Sequence, residues 1–145
     1  MTDLLSQPGM RLYAVCAAVL VLKMWLTGNG TGLLRVRKGV FISPEDYAVT
    51  GRPAATAPDE QVERVRRAHR NDLENILPFL VVGFLLAASG ASYGLLWWLF
   101  VPFTLARVLH TVFYAAAMQP WRTLAFEVGN VALLVATLAL LVRAW

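Results

Sequence analysis

Four apolar stretches dominate this chain and leave a lipid bilayer as the natural place for it to fold. They run from about Leu12 to Leu26, Ile76 to Ala88, Leu95 to Met118 and Leu124 to Val142. A helix needs about 20 predominantly apolar residues to cross a bilayer. The second stretch is short alone. It is preceded by a polar helical run beginning at Asp59, a residue type that caps helix N-termini, directly after Pro58. One long helix therefore emerges from the surface and enters the membrane. A soluble domain is excluded by composition: 58% of residues are hydrophobic and 15% charged, against about 25% charged in an ordinary soluble domain. The predicted fold is all-α, an integral membrane four-helix bundle forming one domain over residues 1–145. Its helices are expected at about 10–27, 59–89, 94–118 and 120–143, with a loop at about 28–58.

Charge sets the expected topology. Arg35, Arg37, Lys38, Arg52, Arg64, Arg66, Arg67 and Arg70 fall between the first two apolar stretches, and Arg122 falls between the last two. The Ser89–Gly94 connection carries no charge. The basic excess thus sits on one side, which the positive-inside rule makes cytoplasmic, with both termini opposite. Because the net charge of +4 is explained this way, no nucleic-acid partner is expected. Lys23 is expected to snorkel to the headgroups beside Trp25. The single cysteine, Cys16, excludes an intrachain disulfide and a cysteine metal site, and no metal is expected. Met1–Gln7 has no basic residue and no cleavage site follows closely, which argues against a signal peptide. Gly28, Gly30 and Gly32 lack the Lys-Ser/Thr that a phosphate loop requires.

Ionisable groups inside membrane segments are costly and mark function by default. Arg107, His110 and Tyr114 are spaced i, i+3, i+7 on one helical face. Glu127 and Asn130 share a stripe with Thr123, and Arg67, Arg70, Asn71 and Glu74 line the entry of the second helix. Pro78 is expected to kink that helix and free the Glu74 carbonyl. Pro120 is placed to open the fourth helix, with Arg122 and Thr123 in its first turn at the positive end of the dipole. A guanidinium, a hydroxyl and unpaired amides there suit a thiolate or other anion. A polar cavity between helices, open to the basic side, follows as the expectation. Blander roles compete: Arg70–Glu74 as a surface ion pair, and Arg107–Glu127 as a clasp between the third and fourth helices.

The run Glu63-Arg64-Val65-Arg66-Arg67-Ala68-His69-Arg70-Asn71-Asp72-Leu73-Glu74-Asn75-Ile76-Leu77-Pro78-Phe79 resembles the signature of the family of membrane-associated proteins in eicosanoid and glutathione metabolism (MAPEG). Lys23-Met24, Arg35-Val36-Arg37-Lys38, Ser43-Pro44-Glu45-Asp46 and Arg107–Tyr114 resemble it as well. The resemblance implies a homotrimer that binds glutathione between subunits near the cytoplasmic side. The ligands it implies are Arg35, Arg67, Arg70, Asn71, Glu74, His110, Tyr114, Arg122 and Thr123. Arg122 would lower the thiol pKa, Thr123 would donate a hydrogen bond, and Asp46 is a further catalytic candidate. Arginines suit glutathione's two carboxylates through bidentate bonds, and Glu74 suits its ammonium.

The implied activity is that of a glutathione transferase or peroxidase, or a prostaglandin-E-synthase-like isomerase, acting on a lipophilic substrate from the bilayer. The alternative is a lipid-binding helper protein of the same fold, without catalysis. The membrane would be the inner membrane of a bacterium or the endoplasmic reticulum of a eukaryote. The chain departs from the prostaglandin-synthesising branch at Phe126, where that branch carries a tyrosine. It also has a shorter loop before Pro120 and the glycine-rich stretch Gly28–Gly32 at the end of the first helix. The pair Gly83 and Ala87 permits close helix packing.

Overall fold

The computed structural model describes residues 4–41, 43–53 and 57–145. Residues 1–3, part of the stretch read against a signal peptide, and residues 42 and 54–56 of the expected loop lie outside them. A short 3-10 turn, Leu4–Ser6, leads into α1 (Pro8–Lys38). A second 3-10 turn, Pro44–Asp46, leads into the one-turn α2 (Tyr47–Thr50), and then come α3 (Glu60–Ala88), α4 (Tyr93–Ala115) and α5 (Trp121–Ala144). The four long helices are each long and apolar enough to cross a membrane.

The first helix is longer than its apolar stretch. Expected to end near residue 27, α1 continues through Gly28, Gly30 and Gly32 to Lys38, so residues 28–38 are helix and not loop. Isolated glycines cost a helix only about 1 kcal/mol each relative to alanine and do not by themselves end it, and the polar side chains between them turn back onto the helix's own carbonyls. Thr27 Oγ1 donates to the Lys23 carbonyl at 2.9 Å, Asn29 Nδ2 to Trp25 at 2.8 Å and Thr31 Oγ1 to Thr27 at 3.0 Å. Gly28 also brings α1 against α3, since a Cβ there would lie 3.2 Å from His69 Cε1. The true stop is Gly39, whose φ of 65° is left-handed. Its N–H bonds the Val36 carbonyl at 3.1 Å while that of Val40 bonds Arg35 at 3.0 Å, a glycine-terminated helix end.

At the start of α3, Asp59 accepts from the Val62 N–H at 3.0 Å and from Lys38 Nζ at 2.9 Å, tying the end of α1 to the start of α3. The Val62 N–H and then Lys38 hold the Asp59 carboxyl below its usual range. At the other end of the bundle, Arg143 Nε near the end of α5 donates to Ser89 Oγ after α3 at 3.1 Å. These ties place the α1–α3 connection and the α4–α5 corner at one end of the bundle.

The core is apolar and aromatic. Phe79 of α3 stacks on Phe103 of α4, with centroids 4.1 Å apart, and meets Phe100 edge-on. Leu20, Ile76, Leu86 and Leu96 fill the space around them. Gly83 and Ala87 are both buried, and a Cβ on Gly83 would lie 3.3 Å from Tyr13 Cε2. The buried face of α5 is a stripe of small residues, Ala125, Gly129, Ala132 and Ala136. Many large apolar side chains point outward, Val15, Trp98 and Val142 among them, as a bilayer requires.

Candidate functional site

The polar residues fall into an interior cluster and a rim. In the interior, Lys23 of α1 points inward and pairs with Asp72 of α3, with side chains 11% and 0% exposed. The expectation that Lys23 snorkels to the headgroups is therefore overturned. With α1 extended to Lys38, Lys23 sits mid-helix, and its nearest counter-charge is Asp72. Thr111 Oγ1 reaches both Asp72 oxygens at 3.5 Å.

Arg107 is fully buried. Its Nη1 donates to Asn71 Oδ1 at 3.1 Å and its Nη2 to the Phe126 carbonyl at 3.0 Å. The guanidinium also lies over the rings of Phe126 (5.3 Å) and Phe103 (5.7 Å), where cation–π attraction holds it. The expected clasp with Glu127 does not form. Glu127 follows Ala125 by two residues, about 200° around the helix, so it faces away from the buried stripe. It lines an outer apolar groove with Trp98, Pro102 and Val131.

Arg107 fits only because residue 129 is glycine: a Cβ there would lie 2.5 Å from Nη2 and 2.7 Å from Nε. Gly129→Ala gains helix propensity of about 1 kcal/mol but must displace a doubly bonded, buried guanidinium. We expect a net loss of about 1–3 kcal/mol, read as a lower unfolding midpoint when the detergent-solubilised protein is titrated with dodecyl sulfate.

The rim carries most of the predicted ligands. Arg67, Arg70 and Glu74 are exposed on α3. Arg70 Nε bonds Glu74 Oε1 at 3.1 Å across one turn, the surface ion pair that their spacing allowed. Pro78 lies inside α3, which continues through it. Pro78 and Glu74 are both exposed, so this carboxylate looks outward and not into a cavity between this chain's helices. Arg35, in the last turn of α1, reaches the Asp46 carboxylate at 3.6 Å and the Val40 carbonyl at 3.4 Å. The two basic-side candidates on either side of the turn thus come together.

The α4–α5 corner joins interior to rim. His110 is buried, its Nδ1 without a hydrogen-bond partner, and it meets Tyr114 edge-on at 5.5 Å and Phe126 at 5.9 Å. Phe126 thus contributes its ring to both Arg107 and His110. Arg122, in the first turn of α5, sits 4.7 Å over the Tyr114 ring. Pro120 occupies the position before that turn, and Thr123 is exposed beside it. The corner is closed by Ala117 at φ 58°, a left-handed conformation costly for a residue with a Cβ. It sends the Ala117 and Met118 N–H groups back to Tyr114 and Phe113 at 3.2 and 2.9 Å.

Lys23, Asp72 and Gln119 were not among the predicted site residues. Opposite charges in two apolar helices were the available signal for Lys23 and Asp72. Gln119, in the connection before Pro120, offered none.

Chemically, the interior holds two cations against one buried carboxylate, a net positive charge beneath a corner rich in donors. Such a place suits an anion. The MAPEG family model matches residues 13–142. Among similar proteins, microsomal glutathione S-transferase 1 of Mus musculus is 42% identical over 118 residues, 78% of this chain and 76% of its own length. Prostaglandin E synthase of Macaca fascicularis is 38% identical over 127 residues (87% and 84%). The Homo sapiens prostaglandin E synthase is 37% identical over 127 residues, with the same coverage.

Proposed function

This chain belongs to the MAPEG family, and we propose that it is a glutathione-dependent membrane enzyme acting on lipophilic electrophiles or peroxides. The names of its relatives, prostaglandin E synthase and microsomal glutathione S-transferase 1, support the cofactor and the class of chemistry. The observation that carries the reading is the α4–α5 corner, where Arg122 lies over Tyr114 beside the Thr123 hydroxyl at a helix N-terminus.

The residues fit glutathione. Arg35, Arg67 and Arg70 present guanidinium groups for its two carboxylates, and Glu74 presents a carboxylate for its ammonium. Asn71, held by Arg107, offers an oriented amide. His110 Nδ1 is a buried polar atom without a partner, which a polar ligand would satisfy. Bound glutathione supplies a nucleophilic sulfur for attack on carbon or on a peroxide oxygen. Arg122 stabilises that sulfur as an anion, Thr123 donates a hydrogen bond to it, and Tyr114 holds the Arg122 plane. Asp46, paired with Arg35, is the further catalytic candidate at the basic end.

The ligand set splits between outward-facing and inward-facing residues, which supports a site completed by a second copy of the chain. The family resemblance makes that assembly a homotrimer, and the basic excess at this end of the bundle favours the cytoplasmic side. Glu127 supports self-association independently, because an ionisable side chain on the outer face of a spanning helix is costly against lipid.

The test is turnover of an electrophilic nitroarene and of a lipid hydroperoxide by the purified protein in detergent with millimolar glutathione. Saturable dependence on glutathione with either substrate is expected. If neither reacts and glutathione does not bind, the lipid-binding helper reading takes its place.

A further inference from the structure

One side chain at the α4–α5 corner touches both residues proposed to act on sulfur, and it belongs to neither predicted set. Gln119 lies directly before Pro120, exposed at the same end of the bundle. Its amide has two possible orientations. With the nitrogen toward Arg122, donors face donors. With the oxygen toward Arg122, every group is paired. The oxygen then accepts from Arg122 Nη2 and from Nε at 3.2 Å, while the nitrogen donates to Thr123 Oγ1 at 3.0 Å.

That orientation has a directional consequence. The Arg122 guanidinium is held in place from two sides, by the amide oxygen and by the Tyr114 ring 4.7 Å below it. The Thr123 oxygen accepts a hydrogen bond from the Gln119 amide N–H. Its own hydroxyl proton is then left to donate elsewhere, since a hydroxyl has one donor and two acceptor positions. A threonine in the first turn of a helix otherwise spends that proton on a local acceptor, such as an amide oxygen one turn back. Gln119 Oε1, 3.0 Å from Thr123 Oγ1, is such an acceptor in the other orientation. Arg122 removes the choice by claiming the amide oxygen.

We propose that Gln119 is a positioning residue that fixes the Arg122 guanidinium and turns the Thr123 hydroxyl proton toward the reacting sulfur. Gln119 acts through its two neighbours, without touching sulfur. The inference rests on the reading of Arg122 and Thr123 as the sulfur's partners, and the experiment separates the two.

The readout is the pH midpoint of the ultraviolet thiolate absorbance of glutathione bound to the full-length, detergent-solubilised protein. Gln119→Met keeps the side-chain length without either hydrogen bond. It is expected to raise the midpoint by about one pH unit, a tenfold loss of thiolate below it, with the affinity for the protonated thiol form of glutathione nearly unchanged. Gln119→Glu keeps the acceptor toward Arg122 but lacks the donor toward Thr123, so it should shift the midpoint the same way. In a Thr123→Val background, Gln119→Met should add less than it does alone, because the two groups act as a unit. If both Gln119 variants leave the midpoint in place while Arg122→Ala raises it, the positioning role is wrong and the sulfur site stands. If Arg122→Ala itself leaves the midpoint in place, the underlying site assignment fails with it.

Discussion

Lys23→Met is expected to lower the unfolding free energy of the detergent-solubilised chain by about 3–5 kcal/mol, the cost of leaving one partner of a buried ion pair alone. The size follows from burial: the Asp72 side chain is fully enclosed and Lys23 is only 11% exposed. Thr111 alone, at 3.5 Å from the carboxylate oxygens, is a poor substitute for an ammonium. Replacing both partners by apolar residues, Lys23→Met with Asp72→Leu, should recover more than half of the loss, because a buried pair is close in free energy to a packed hydrophobic pair. Dodecyl sulfate unfolding followed by circular dichroism measures both. A double variant no more stable than Lys23→Met alone would show that Asp72 has a second obligatory partner, and the guanidinium of Arg107 would be the first to examine.

The largest catalytic effect belongs to Arg122. Removing one preorganised donor from a site that holds negative charge costs about 10²–10³ in rate, and Arg122→Ala should fall in that range in kcat at neutral pH. The loss has a recognisable pH signature. Arg122 favours the charged sulfur, so its removal raises the pH at which the thiol ionises. Activity should then climb as pH rises and approach wild type once the thiol deprotonates unaided. A structural role would depress the rate equally at all pH values. The fold should survive, because Arg122 is only half-buried and outside the aromatic core.

Much of the architecture is legible in the residues. The four apolar stretches become four helices long enough to span a bilayer. Asp59 caps α3, and Pro120 precedes the first turn of α5. Hydropathy, however, locates the end of a membrane segment, and a helix ends where its backbone bonds end. That is why α1 outruns its apolar stretch by a dozen residues, to the left-handed Gly39. The same error misplaced Lys23, which looks like a terminal cation only while the helix is thought to stop beside it.

Partner choice was harder still to read. Charge alone matches Arg107 with Glu127, but rotation along α5 turns Glu127 outward, and Gly129 opens the space that lets Arg107 reach the Phe126 carbonyl. The candidate ligands of glutathione are recognisable as residue types. Their division between an interior face and an outer rim depends on packing that no single helix's periodicity records.

Binding of glutathione and ionisation of its thiol are the roles proposed for the α4–α5 corner. The most direct measurement is a titration of the purified protein with glutathione at neutral pH, following thiolate absorbance, beside Arg122→Ala. A saturable thiolate signal is expected in the wild type and is lost in the variant. Saturable glutathione binding with no thiolate signal, or a signal of equal size in both proteins, would contradict those roles.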